Sequence, residues 1–297
     1  MTAAAFACLI QAAFPGPARA QSPAQTPDAG AVQRGEYVFT AAGCTSCHTD
    51  EKHKGAFLAG GVALATPFGT FYGPNITPDP TYGIGRWSEA DFIRAVREGK
   101  GPGGELFPVF PFTSFTRISD ADIHDLWAYL KTVPPVATPS KPHDVGFPFN
   151  LRFGQVFWKL LFFTSGRFQP DPTKTAEVNR GAYIVQALSH CGECHTPRNM
   201  LGGTRTGMAL AGAAKGPDGH SVPNITPDAE TGIGKWSDGD ILDVLKSGMT
   251  PDGDFVGGAM AEEVRNTSGK LTDADLRAVV AYLRSLPPIR NKVEDKD

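Results

Sequence analysis

The sequence predicts a mainly α-helical protein made of two tandem copies of one domain. Two observations carry that expectation. The first is an internal repeat. Cys44-Thr45-Ser46-Cys47-His48 recurs 147 positions later as Cys191-Gly192-Glu193-Cys194-His195, and the surrounding text recurs with it. Pro74-Asn75-Ile76-Thr77-Pro78-Asp79 returns as Pro223-Asn224-Ile225-Thr226-Pro227-Asp228, and Gly83-Ile84-Gly85-Arg86-Trp87-Ser88 as Gly232-Ile233-Gly234-Lys235-Trp236-Ser237. A repeat of about a hundred residues is a whole domain and not a solenoid unit. The second observation is that each copy holds three segments of helical periodicity between glycine- and proline-rich loops, while strand alternation is scarce. The domains are expected at 31–135 and 177–288. A leader at 1–20, a linker at 136–176 and a tail at 289–297 complete the chain.

Each copy reads in the same order. A first helix starts near Arg34 or Arg180, is anchored by Tyr37-Val38 or Tyr183-Ile184, and delivers the cysteine motif at its end. A second begins at Ser88 or Ser237, each followed three places on by an acidic residue, Asp91 or Asp240, as in a capping box. Its apolar stripe is Phe92, Ile93 and Val96, or Ile241, Leu242 and Leu245, and Gly99 or Gly248 ends it. The last starts at Ser119 or Thr272 and stops before paired prolines. In the linker, Phe153, Val156, Phe157, Leu160 and Leu161 recur at helical spacing, widened by Trp158, Phe162 and Phe163. This stripe is expected to clamp the two domains together. The other reading is a docking face for a partner or a peripheral membrane contact, with Arg152 and Lys159 as its basic flank.

The repeated pentapeptide is C-x-x-C-H, whose spacing lets two thiols add to the vinyl groups of one haem while the histidine ligates its iron. With five cysteines and seven histidines in 297 residues, chance supplies on the order of 0.002 such matches. Joining both cysteine pairs into one Cys₄ zinc centre is the competing use, but each pair runs directly into a histidine and sits in its own repeat. A thioredoxin-type pair needs a β-α-β context that is missing. Two covalently bound haem c groups are therefore expected, on Cys44, Cys47 and His48 and on Cys191, Cys194 and His195. The fifth cysteine, Cys8, lies in an apolar stretch from Ala3 to Phe14 followed by Ala18-Arg19-Ala20, which reads as a signal peptide cleaved after Ala20. Attachment of c-type haem requires export, so a bacterial periplasm is the expected location. No other stretch has the roughly eighteen uninterrupted apolar residues of a membrane span, and a net charge of −3 argues against a nucleic-acid partner.

The run His190-Cys191-Gly192-Glu193-Cys194-His195-Thr196-Pro197-Arg198-Asn199, the two Asn-Ile-Thr-Pro-Asp segments and Phe147-Pro148-Phe149-Asn150 resemble the cytochrome c subunits of periplasmic, membrane-associated alcohol, gluconate and aldehyde dehydrogenases. Those subunits carry three class I cytochrome c domains; here two are expected, with no C-terminal amphipathic anchor. The resemblance covers essentially the whole chain after its leader. It implies that the carbonyls of Pro74 and Pro223 orient the proximal histidines, and that a methionine before the last helix supplies the sixth iron ligand.

In the second half Met260 has the better register for that role and Met249 competes. In the first half, where the family pattern reads Leu-Tyr-Pro-Ala-Met-Pro-Tyr, the sequence is Leu106-Phe107-Pro108-Val109-Phe110-Pro111-Phe112. Phenylalanine cannot bind iron, which leaves His53, His124, His143, Lys100, Tyr72 or an open position. The resemblance implies an electron-transfer subunit that takes electrons from a dehydrogenase and passes them to a respiratory acceptor. The alternative is a peroxidase-like haem enzyme with an open iron at the first haem, for which Glu105 is the one acid near Phe110.

Overall fold

A computed structural model describes residues 28–216 and 219–293; the expected leader and the end of the tail lie outside them. The first half contains α1 (Ala29–Ala41), α2 (Cys44–His48), β1 (Ala63–Thr66), β2 (Gly69–Tyr72), α3 (Glu89–Glu98), β3 (Lys100–Gly101), β4 (Gly104–Glu105), α4 (Phe112–Phe115) and α5 (Asp120–Leu130). The connection holds β5 (Asp144–Val145) and α6 (Gly154–Phe162). The second half contains α7 (Ala176–Tyr183), which runs on into a π-helical turn at Ile184–Leu188, then α8 (Gly192–His195), α9 (Asp238–Ser247), α10 (Gly258–Asn266) and α11 (Asp273–Ser285).

The halves are built alike. In each, the first helix crosses the last at a glycine. A Cβ on Gly35 would stand 1.9 Å from the carbonyl oxygen of Asp125, and one on Gly181 would stand 1.8 Å from that of Ala278. Only a residue without a side chain permits backbones so close. The second helix has the expected capping box in both halves: Ser88 and Asp91 exchange hydrogen bonds, as do Ser237 and Asp240. Gly99 and Gly248 close these helices at φ 61° and 82°.

Four features differ from the sequence-based expectation. First, α1 and α7 start a turn or so before the two arginines, because the Asp28 side chain accepts from the amides of Gly30 and Ala31 and Thr175 accepts from that of Val178. Second, a small antiparallel sheet of order β1-β2-β5 flanks the first domain, with Ala65 opposite Thr70 and Thr70 opposite Asp144. Strands of two to four residues are too short to register as alternation.

Third, Tyr37 and Tyr183 join the core as expected but also reach across to the other half. The Tyr37 hydroxyl donates to Asp275 at 2.6 Å and accepts from the Thr272 amide at 3.2 Å, at the start of α11. Tyr183 does the reverse, donating to Asp122 and accepting from the Ser119 amide at the start of α5. Arg34 forks onto Asp125 at 2.6 and 2.9 Å, and Arg180 onto Asp275 at 2.8 and 2.7 Å. Burial alone would raise the Asp275 carboxyl, but hydrogen bonds from Arg180 and Tyr37 outweigh it and hold it below its ordinary range. The domains thus meet in a pseudo-twofold exchange, each first helix capping the other domain's last helix.

Fourth, α6 bridges the halves through the face opposite to the expected one. Trp158 Nε1 donates to the Leu201 carbonyl at 2.8 Å, Phe162 covers Gly203 so tightly that a Cβ there would stand 2.4 Å from its ring, and Phe163 meets Phe112 edge-on at 5.3 Å. The stripe of Phe153, Phe157, Leu160 and Leu161 is 62–78% exposed. Of its basic neighbours, Lys159 turns inward while Arg152 stays exposed. Lys159 caps α3 through the carbonyls of Glu98 and Gly99 and pairs with Glu105, and Arg152 donates to the Glu105 carbonyl at 2.7 Å. No helix among the described residues is long and apolar enough to cross a membrane.

Candidate functional site

Both C-x-x-C-H motifs lie on a single helical turn. Three residues of helix bring the two thiols to one side, with His48 or His195 following directly. The entry to each turn needs a left-handed residue: Gly43 at φ 62° in the first half, His190 at φ 41° in the second. Behind each motif the same bonds recur. Thr49 and Thr196 accept from the amides of Leu58 and Leu210, both at 3.0 Å, and the His48 and His195 carbonyls accept from Gly60 and Gly212 at 2.8 and 2.7 Å.

The Asn-Ile-Thr-Pro-Asp segments position the prolines. Asn75 and Asn224 accept from the amides and hydroxyls of Thr77 and Thr226, and donate to Val136 and Thr138 or to Ile289 in the chain beyond the last helix. This brings the Pro74 carbonyl to 2.7 Å from His48 Nδ1 and the Pro223 carbonyl to 2.8 Å from His195 Nδ1. A carbonyl can only accept, so the proton is on Nδ1 and the lone pair on Nε2, the tautomer that ligates a metal. Burial depresses the pKa of both histidines and keeps the rings neutral.

The motifs open on one continuous cavity of about 4030 Å³, lined in the first half by Ile84, Phe92, Val96 and Phe110 and in the second by Ile233, Ile241, Leu245 and Met260. Burial pushes the Cys44 thiol up to about 12, Cys47 to about 11 and Cys191 to about 12, so all three are neutral thiols at pH 7. Among the described residues no group of three or more His, Cys, Asp or Glu converges as a metal ion's ligands would, and the two cysteine pairs do not join into one centre. Paired thiols, an imidazole with a free Nε2 and an apolar cavity fit a haem in each half.

Met260 lines this cavity from the first turn of α10, whereas Met249 is 39% exposed and bridges to Phe255 outside the lining. Of the first-half candidates, His53, Tyr72 and His143 line the cavity; His124 and Lys100 do not. Phe110 lies against Phe115 with ring centroids 5.5 Å apart.

Two carboxylates at the site escaped the sequence reading. Glu193, inside the second motif, accepts from Thr113 at 2.6 Å and Ser114 at 2.7 Å in the other domain, and pairs with Arg198 at 2.5 Å. Burial opposes its ionisation, but Arg198 and the two hydroxyls hold its pKa below the ordinary value. The nearby Arg198 in the motif was the available signal. Glu263 on α10 carries a charge felt at both Cys47 and Cys191, and burial pushes it up to about 7. Nothing local in the sequence marks it.

The cytochrome c family model matches residues 32–134 and 178–287. The chain belongs to the cytochrome c family. As such it is a mainly helical haem protein with two tandem class I cytochrome c domains. It is 46% identical over 270 residues to a dihaem cytochrome c-type protein of Cereibacter sphaeroides, covering 88% of this chain and 87% of that one. It is 41% identical over 276 residues to the fructose dehydrogenase cytochrome subunit of Gluconobacter japonicus, covering 92% of this chain and 54% of the relative. It is 37% identical over 264 residues to the gluconate 2-dehydrogenase cytochrome c subunit of Pantoea cypripedii, covering 86% and 59%. This cytochrome therefore spans little more than half the length of the two dehydrogenase subunits.

Proposed function

We propose that this cytochrome is a periplasmic dihaem electron carrier that accepts electrons singly from a dehydrogenase and delivers them to a respiratory-chain acceptor. Domains at 31–135 and 177–288 each hold one haem, through thioether bonds to Cys44 and Cys47 and to Cys191 and Cys194. The haem, when bound, supplies reversible one-electron exchange at iron. His48 and His195 are the proximal ligands, Pro74 and Pro223 fix their rings, and Met260 is the sixth ligand in the second domain. The observation that carries this reading is the pair of imidazoles whose Nδ1 atoms are tied to backbone carbonyls at 2.7 and 2.8 Å beside a cavity shared by both motifs.

The rest of the chain supports a carrier over a catalyst. Glu105, the acid that a peroxidase reading requires, is bound by Lys159 with both side chains largely buried. The exposed face of α6 borders the cavity through Phe157 and Leu161, which suits docking of the dehydrogenase close to a haem. Lys159 turns inward, which leaves Arg152 as the exposed one of the stripe's two basic neighbours, a sparse fringe for a lipid-binding helix.

The test is the alkaline pyridine spectrum and intact mass of the exported protein. Two haems that survive denaturation are expected, and Cys191→Ala/Cys194→Ala should retain one. Zero or one haem in the unsubstituted protein contradicts the proposal.

A further inference from the structure

Ser46 and Glu193 hold the same place in the two motifs, directly before the second cysteine, and each reaches out of its own half. Ser46 Oγ meets Asn266 Nδ2 on α10 at 3.2 Å. Glu193 Oε1 accepts from the hydroxyls of Thr113 at 2.6 Å and Ser114 at 2.7 Å, both on α4. One motif position thus grips the helix that carries Met260 in one direction and the helix that follows Phe110 in the other.

The grip on α4 is the firmer of the two. Ser46 and Asn266 share one neutral bond, whereas Glu193 brings a charge, and charge-assisted hydrogen bonds are roughly twice as strong as neutral ones. Its other oxygen, Oε2, pairs with Arg198 at 2.5 Å, and Arg198 is itself fixed by donating to the carbonyls of Gly202 at 2.7 Å and Glu193 at 3.0 Å.

Helix α4 needs such a hold. It is a single turn, Phe112–Phe115, and Pro111 at its start supplies no capping side chain; one turn has no stability of its own. Within its own domain it rests on α3, where the Phe112 ring covers Gly99. Its two hydroxyls both go to Glu193. Phe115 stands edge-on to Phe110 at 5.5 Å and to His190, the residue before the second motif, at 5.3 Å. Phe110 and Phe115 line the cavity and pack in one cluster with Cys44. The apolar wall beside the first motif is therefore held in place from the second.

We infer that Glu193 is a positioning residue for the first-domain haem: it fixes α4 across the domain boundary, and with it the Phe110–Phe115 wall that keeps water from that haem. The inference rests on the haem reading of the first domain. A dry apolar wall penalises ferric iron more than ferrous, so loosening the wall lowers the reduction potential.

The test uses the full chain with both haems attached, their number fixed by the alkaline pyridine spectrum so that a failure of the haem reading shows separately as a missing haem. Redox titration reads both potentials, assigned with the one-haem variants Cys44→Ala/Cys47→Ala and Cys191→Ala/Cys194→Ala. Thr113→Val/Ser114→Ala changes no charge and leaves the second motif intact; it should lower the first-domain potential. Glu193→Gln and Glu193→Ala lose the same charge, but only glutamine keeps an oxygen for the two hydroxyls, so the first-domain potential should be lower with alanine than with glutamine. An unchanged or raised first-domain potential in the hydroxyl variant overturns the inference, as do equal first-domain potentials in the two Glu193 variants. A shift confined to the second-domain haem overturns it as well, because Glu193 would then act only within its own motif.

Discussion

His48 and His195 present Nε2 to the cavity because a proline carbonyl holds each ring from behind. Met260→Ala should lower the reduction potential of one haem and leave the other unchanged, since a thioether ligand favours the reduced iron; an unchanged pair of potentials would point to Met249. At the domain contact, Asp275→Asn removes the partner of Arg180 and weakens the acceptor for Tyr37. Urea unfolding should show a loss of about 2–3 kcal/mol. Glu263 gives a pH dependence. Its carboxyl is pushed up to about 7 from an ordinary 4.5, so between those values the folded chain holds a proton that the unfolded chain has released. Stability should fall as pH rises through that window, and Glu263→Gln should flatten the fall, as read by melting temperature against pH. The cysteine motifs were legible in sequence because covalent attachment fixes their spacing. Tyr37 with Asp275 was not: the two lie 238 positions apart, and no local pattern encodes a pair at that range.

At the scale of elements, caps were legible and neighbours were not. Ser88, Ser119, Ser237 and Thr272 all stand at helix starts as expected, because a cap is settled within four residues. Ser88→Ala should cost about 1 kcal/mol in thermal or urea unfolding. The stripe on α6 was equally plain from its period, yet periodicity says which residues share a face and not what that face meets. Trp158, Phe162 and Phe163 fasten the helix to both domains, and the leucines are left outside. Leu160→Glu should therefore leave the melting temperature unchanged while slowing reduction by the partner dehydrogenase about tenfold, the effect of losing one well-buried interface anchor. Unimpaired reduction would remove α6 from the docking surface.

For the molecule as a whole, the repeat carried most of the architecture. Two copies of one text fold alike, and their pseudo-twofold contact follows from tyrosines and aspartates repeated in both. What the duplication hid is where the copies differ: β1, β2 and β5 flank only the first domain, α7 alone continues into a π turn, and Phe110 stands where Met260 does. On the proposed two-haem reading, the apolar Phe110 in one half and the thioether of Met260 in the other should separate the two potentials. Both motifs line one continuous cavity. As proposed, this cytochrome carries electrons one at a time on two haems. The most direct measurement is a potentiometric titration of the purified full chain followed by its haem absorbance. Two reversible one-electron transitions are predicted; a single transition that accounts for all the haem with one-haem amplitude, or no reversible transition, would contradict the account.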